Sequence, residues 1–349
     1  MISRSAGKLR SNVLPLFNVI LLGTSLAWAC AAAGSNAVNN MISSHFIFFM
    51  VFVYLALQLV MKTDKYRINE GSKVKLKDHP TDDSNGFKDK DEAVADLAKN
   101  IEKLAELQDV LYAQDVHSLL VIFQAMDAAG KDSAIKHVMS GINPQGCQVT
   151  AFKQPSAEEL DHDFLWRCQN ALPERGRIGI FNRSHYEEVL VVRVHPEILQ
   201  SQKLPDDIKN DKDIWKKRYK HIRDWEETLA DNGTHVLKFF LNVSKDEQKK
   251  RFMDRIEQPD KNWKFSASDV KERAHWKEYM SAYEDALSAT STERSPWYVI
   301  PADKKWFTRL AVSEIIIEKL RTLKMTYPEV TEQHKAELAA AKTMLESEV

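Results

Sequence analysis

The residues best suited to chemistry stand together in Ala125-Met126-Asp127-Ala128-Ala129-Gly130-Lys131-Asp132-Ser133. Small side chains let backbone N–H groups close around phosphate oxygens, a helix starting at Lys131 adds positive potential, and Lys131 supplies a mobile ammonium. The spacing from Ala125 to Lys131 fits GxxxxGK[ST], with Ala125 in place of the first Gly and Asp132 in place of Ser or Thr. Ala128, Ala129, Gly130, Asp132 and Ser133 are the candidate phosphate-binding positions; an ordinary tight strand-to-helix turn is the competing reading. Asp132 reads as a first-turn partner of the helix dipole rather than as a metal ligand. Asp127 points a carboxylate at a place built for anions, which is unfavourable unless a cation is present. Mg²⁺, or Mn²⁺ in its place, held by one or two carboxylates plus phosphate oxygens, answers this, and Asp127 could also orient an acceptor phosphate.

Two further groups could share that chemistry. At the end of an apolar run, Phe181-Asn182-Arg183-Ser184-His185-Tyr186-Glu187-Glu188 offers in Arg183 a planar fork suited to phosphate, and in Asn182 a carbonyl able to accept a hydrogen bond. His185 reads as structural, since an ionised phosphate acceptor needs no base. Glu187 and Glu188 read either as site residues or as a solvated first helical turn, the latter favoured for Glu188. The third group is basic: Lys249, Lys250, Arg251 and Arg255 on one helix, then Lys261, Lys264, Lys271 and Arg273. Arg251 and Arg255 are four apart and share a face. A lid over about 249–275 would neutralise charge and exclude water, with Arg251, Arg255, Lys261, Lys264 and Arg273 as ligands of a polyanion; a solvated charged face is the alternative. Trp263, Phe265, Trp276 and Tyr279 read mostly as core, and none is assigned to a nucleotide base. The eleven His show no HxxxH or HExxH spacing, so no protein-only zinc site is expected.

Five short apolar runs must carry these groups: 118–124, 148–152, 178–181, 235–241 and 297–300, each beside a helical stretch. This is the βαβ rhythm of a parallel sheet in an α/β fold. The periodic Ala93, Leu97, Ile101, Leu104, Leu107 and Leu111 predict a helix from near Glu92 to Tyr112 with Asp91 as its cap. Ser156 with Glu159 and Ser244 with Glu247 have capping-box spacing. The 349 residues are 44% hydrophobic and 28% charged, enough to bury a sizeable core. A net charge of -1 gives no global reason to expect a nucleic-acid partner. Cys30, Cys147 and Cys168 form no CxxC pair, which excludes a disulfide scaffold.

Several blocks in order are more specific than one loop. The stretch 123–132, Gly141-Ile142-Asn143-Pro144-Gln145-Gly146, Glu158 to Arg167, and Pro173-Glu174-Arg175-Gly176-Arg177 through Leu190 closely resemble the polyphosphate kinase 2 family, from about Lys62 to Leu323. The form Asn-Arg-Ser-His-Tyr-Glu-Glu is similar to its class III branch. The resemblance implies a P-loop kinase-like parallel sheet flanked by helices with a helical lid. It also implies reversible, magnesium-dependent phosphoryl transfer between inorganic polyphosphate and nucleotides, with AMP and ADP as acceptors and ATP as a product. Asp127, Lys131, Arg183 and Glu187 are then the catalytic set, with Asp127 as metal ligand. Many relatives carry Asp where this chain has Asn182, which loses a charge for metal; Glu187 could replace it or position the acceptor nucleotide, and Asn182 would support acceptor or metal. An ATP-dependent P-loop kinase of a small molecule and a catalytically impaired, membrane-tethered nucleotide-binding protein are the rival readings. A homo-oligomer is expected.

No Asp, Glu, Lys or Arg occurs from residue 11 to residue 61. Within residues 13–61 two apolar stretches of bilayer-spanning length, flanked by Arg4, Lys8, Arg10 and by Lys62, Lys65, Arg67, read as a membrane hairpin with cytoplasmic ends. A mis-called start, with synthesis beginning at Met61, is the equal alternative, and secretion is less favoured. The expected organisation is an apolar segment over 1–61, a polar extended arm over 62–91, a cytoplasmic catalytic domain over 92–325 and a C-terminal surface helix over 326–349.

Overall fold

The computed structural model describes residue 61 and residues 63–348, and residues 62–349 form one compact unit. Of the segment expected as a membrane hairpin, all but Met61, the alternative start, falls on residues outside this description. Among the described residues no helix is long and apolar enough to cross a membrane.

Five strands make one all-parallel sheet: β1 Ser118–Gln124, β2 Cys147–Ala151, β3 Ile178–Asn182, β4 Thr234–Asn242 and β5 Trp297–Pro301. Their order is β2-β3-β1-β4-β5, which puts β1 at the centre with β3 and β4 as neighbours. The central strand is buried at every residue, as its unbroken run Ser-Leu-Leu-Val-Ile-Phe-Gln requires. At the edge, β2 is only half covered and leaves Val149 exposed. Because β1 and β3 run parallel with Phe123 opposite Asn182, their carboxyl ends lie side by side, and the loop after one meets the motif after the other.

Helices of eight residues or more surround the sheet: α1 Lys90–Gln114, α2 Lys131–Val138, α3 Ile214–Asp231, α4 Lys245–Glu257, α5 Ala267–Ala274, α6 Trp276–Thr290, α7 Lys305–Thr322 and α8 Glu332–Glu346. The cap of α1 is Asp89, which accepts from the N–H groups of Asp91 and Glu92, so the helix opens two residues before the expected start and Asp91 lies inside its first turn. The buried face of α1, with Ala93, Leu104 and Leu111, packs on α7, and Asn100 donates to Ser313 Oγ across the joint at 3.1 Å. On β4, Lys238 is turned to α3 and α6, where it meets Glu226 and Thr290. The Ser156 capping box closes in both directions. At Ser244 only half forms: Glu247 N–H donates to Ser244 Oγ, while the Ser244 N–H is taken by Asp303 at 2.7 Å.

The segment after residue 62 runs along the body with two short 3₁₀ turns. Tyr66, Ile68, Val74 and Leu76 are buried, and the Ile68 N–H donates to Trp297 O at 2.8 Å. At the other end of the chain α8 buries no residue.

Candidate active site

The loop between β1 and α2 is held in a conformation that few side chains allow. Ala128 has φ +60° and Gly130 φ +109°, and only at Gly130 is the left-handed region free of a Cβ penalty. A Cβ at Gly130 would also stand 3.8 Å from the Arg251 guanidinium. No side chain caps the amino end of α2, so its first N–H groups face the loop and remain open to an anion. Lys131 is buried, with Nζ folded back on Ala125 O at 2.9 Å. Burial, then the nearby Arg183 charge, hold its pKa below the ordinary lysine value, against the pull of Asp127 and Glu187.

β3 delivers the second group to the same point. Arg183 has φ +64°, and its N–H donates to Phe123 O at 3.0 Å, which fixes the turn against the end of β1. Its guanidinium donates to Asp127 Oδ1 at 2.9 Å and lies 3.6 Å from Glu187 Oε2. Burial works against the Arg183 charge, but Glu187 and Asp127 more than compensate and raise its pKa. Burial is also the main reason that the Glu187 carboxyl titrates above its usual range. Asp127, Lys131, Arg183 and Glu187 are thus in one electrostatic cluster. Asn182 Nδ2 donates to Asp132 Oδ1 at 2.6 Å, which ties the exposed Asp132 to β3; Ser133 Oγ accepts from Arg309 at 2.8 Å.

Glu188 departs from the expectation of a solvated turn. It is buried against Arg218 at 3.3 Å and Gln202 at 3.0 Å, because the turn His185–Val189 tucks inward rather than starting a surface helix. His185 is fully buried beneath the site, packed against Tyr186 and Trp225, with Nε2 3.6 Å from Glu226. The neighbouring Tyr186 hydroxyl donates to Glu226 at 2.9 Å and lies 3.0 Å from Thr290 Oγ1, and Lys238 donates to Glu226 at 2.6 Å, so the motif is anchored on a buried ion pair.

The basic group divides. Arg251, expected on the lid as a polyanion ligand, is instead buried under the loop, and all five of its N–H donors are occupied. They reach Glu247, the carbonyls of Ala128 and Ala129, and those of Ala302 and Asp303, at 2.7–3.0 Å. Four carbonyls converging on one spot demand a planar multidentate donor, so Arg251 is drawn inward although it lies one turn from Arg255. Arg255 stays near the surface, facing Asp269 at 3.5 Å and Lys264 O at 3.3 Å. Lys264 is exposed and Lys261 is partly exposed on the turn Pro259–Lys264, beside a Trp263 that is 78% exposed. Arg273 donates to Lys245 O and to Gln248 Oε1.

Sequence reasoning missed Gln248, whose buried amide donates to Asp127 O at 3.0 Å. Its signal was present, one helical turn before Arg251. Arg309 and Lys305, near the loop from α7, carried no local signal. A cleft of 720 Å³ opens beside Arg183 and Glu187, lined among others by Phe152, Phe164, Arg167, Glu188, Gln202 and Arg218. The Arg218 guanidinium stacks over Phe164 at 4.5 Å. Among the described residues no group of three or more His, Cys, Asp or Glu could cage a metal, and the loop carboxylate of Asp127 accepts from Arg183 through Oδ1.

A parallel sheet whose central strand feeds a small-residue loop, an uncapped helix and a buried Lys defines a P-loop kinase-like phosphate-handling protein. The sequence model of the polyphosphate kinase 2 (PPK2) family matches residues 87–328, and the chain belongs to that family. It is 55% identical over 285 residues to an ADP-polyphosphate phosphotransferase of Rhodopseudomonas palustris, covering 82% of this chain and 99% of the relative. It is 46% identical over 266 residues to an AMP/ADP-polyphosphate phosphotransferase of Meiothermus ruber, covering 76% and 95%. The crystal structure of a polyphosphate kinase 2 from Arthrobacter aurescens TC1 superposes with a TM-score of 0.73 at 41% identity, over 80% of this chain and 95% of that one.

Proposed function

We propose that the protein transfers the terminal phosphoryl group of inorganic polyphosphate to AMP and ADP, reversibly and with Mg²⁺. The observation that carries this reading is that Arg183, which lines the cleft together with Glu187, binds Asp127 of the phosphate loop and lies close to Lys131 at the open amino end of α2. The acceptor nucleotide lies in the cleft with its phosphate toward Arg183. An ionised acceptor oxygen attacks the terminal phosphorus of the polyphosphate, and the bridging P–O bond breaks with its electron pair leaving on the shortened chain. No proton needs to move. Lys131, Arg183 and the loop N–H groups bind the transferring group and the charge that collects on its oxygens, so catalysis is by positioning and neutralisation. Asp127 would hold Mg²⁺, which supplies further charge neutralisation between the phosphates; Mn²⁺ has the same oxygen chemistry. Arg255, Lys261, Lys264 and Arg273 border the route of the polyanion as part of a lid over about 249–275. Arg251 instead shapes the loop.

Supporting the assignment are the family membership and the names of the two relatives, one read with ADP and the other with both AMP and ADP. We include a cytoplasmic location in the proposal, because its proposed acceptors are nucleotides, and a homo-oligomer. The test is to incubate the purified full chain with Mg²⁺, long-chain polyphosphate and either ADP or AMP. ATP from ADP, and ADP followed by ATP from AMP, are expected; no phosphoryl transfer from polyphosphate to either would sink the reading. Glu187→Ala should depress use of AMP more than use of ADP, since Glu187 stands where the acceptor phosphate must sit. Equal losses would make it a general site residue.

A further inference from the structure

The helix α5 buries none of its residues, yet three of its side chains are tied to the body. Asp269 faces Arg255 of α4 at 3.5 Å. Arg273 donates to Lys245 O at 2.6 Å and Gln248 Oε1 at 2.8 Å, and Gln248 in turn holds Asp127 O. Glu272 turns the other way: its Oε2 accepts the Tyr279 hydroxyl at 2.6 Å and lies 2.9 Å from His195 Nε2.

His195 stands between the helical turns Val191–Val194 and Pro196–Ser201, which contribute Val191, Val192, Ile198 and Ser201 to the wall of the cleft. Its other ring nitrogen, Nδ1, is 3.2 Å from Glu197 Oε1. A ring with a carboxylate at each nitrogen satisfies both only by donating twice, and imidazolium is the form that does so. The groups facing it are Glu197 on its own segment, Glu272 on α5, Tyr279 on α6, and the His275 ring edge-on at 5.0 Å. Burial favours the neutral ring, but Glu272 and Glu197 outweigh it and raise the His195 pKa. Burial likewise opposes the Glu272 charge, which Tyr279 and His195 restore, holding that carboxyl below its usual range.

We propose that His195 is a positioning residue joining the acceptor cleft to the lid: as imidazolium it pins Glu272 and keeps α5 beside the phosphate loop, and its deprotonation weakens that hold. This rests on the lid and cleft assignments above. The charge-assisted contact is present below the raised pKa and gives way, as pH rises through it, to the weaker hydrogen bond of a neutral ring. One side chain therefore reports the state of the cleft wall to the cover of the polyanion route, over a distance neither element spans alone.

Amide hydrogen exchange of the full chain, with each rate corrected for its intrinsic pH dependence, tests this without requiring turnover, so it stands apart from any failure of the proposed reaction. Between pH 6 and 9, wild-type protection over residues 267–274 should fall about three- to tenfold, the scale of one partly exposed charged contact. His195→Ala should show the low protection at every pH. His195→Gln, whose amide can donate to Glu272 but does not titrate, should be flat with pH and better protected than the alanine variant. His275→Gln should keep the wild-type step. In turnover assays, KM for polyphosphate should rise with loss of protection while KM for ADP changes less. A wild-type step in His195→Gln, or its disappearance only in His275→Gln, would overturn the assignment.

Discussion

The phosphate loop and the lid lie on neighbouring elements, but they are held by opposite means. Under the loop, Arg251 and Gln248 are buried and spend their donors on its carbonyls, so its shape exists before any phosphate arrives. The lid helix α5 has no buried residue and depends on a few half-exposed polar contacts. A receptor for a transferring phosphoryl gains from rigidity, because donors aimed in advance need no reorganisation in the transition state. A cover that must admit a long polyanion gains from weak ties. Breaking each region should therefore give a different kind of damage.

The largest effect is expected inside the rigid region at the chemistry itself. Lys131→Ala and Asp127→Asn should each lower turnover on the order of a hundredfold or more, from loss of one preorganised charge contact. Thermal melting and circular dichroism should show the fold retained, since among the described residues the Lys131 ammonium makes a single hydrogen bond, to Ala125 O. Near-normal turnover in either variant would refute the loop assignment.

Next in size is damage to the support. Arg251→Met fills a similar volume but leaves the carbonyls of Ala128, Ala129, Ala302 and Asp303 without their guanidinium donors. Breaking such a buried hydrogen-bonded charge costs about 3 kcal/mol or more, so Tm should fall by on the order of 10 °C together with turnover. Turnover loss with unchanged Tm would instead return Arg251 to the substrate.

How far the sequence foretold this differs between the same two regions. The strands were legible because runs such as Leu119–Phe123 and Val236–Leu241 have few other places to go, and their ends shifted by a single residue. The phosphate loop was legible because small residues, Gly130 and Lys131 follow such a run directly. Arg251 was not, because helical spacing tells which residues share a face and not which of them lies over a cluster of carbonyls. The same limit hid Lys238 and Glu226, an ion pair joining a central strand to α3, and made Glu188 look solvated when Arg218, thirty residues on, neutralises it. Asp89 displaced Asp91 as the cap of α1 for a more local reason: two acids two residues apart can each cap, and the chain entering from Phe87 and Lys88 decides between them.

The smallest effect belongs to the outer lid, where Lys261 and Lys264 project from the turn Pro259–Lys264 and neither ammonium has a carboxylate ion pair among the described residues. Charges in that setting attract a polyanion through solvent and release counterions rather than forming fixed bonds, so each contributes little and salt weakens it. The double substitution Lys261→Ala with Lys264→Ala should raise KM for polyphosphate about two- to fivefold at low ionic strength, with kcat, KM for ADP and Tm nearly unchanged. Raising the salt should shrink the difference from wild type, because the wild type loses the same attraction by screening. A kcat loss comparable to that of Lys131→Ala, or a KM difference that survives high salt, would mean that this turn is built into the rigid receptor, and the contrast between loop and lid would fail.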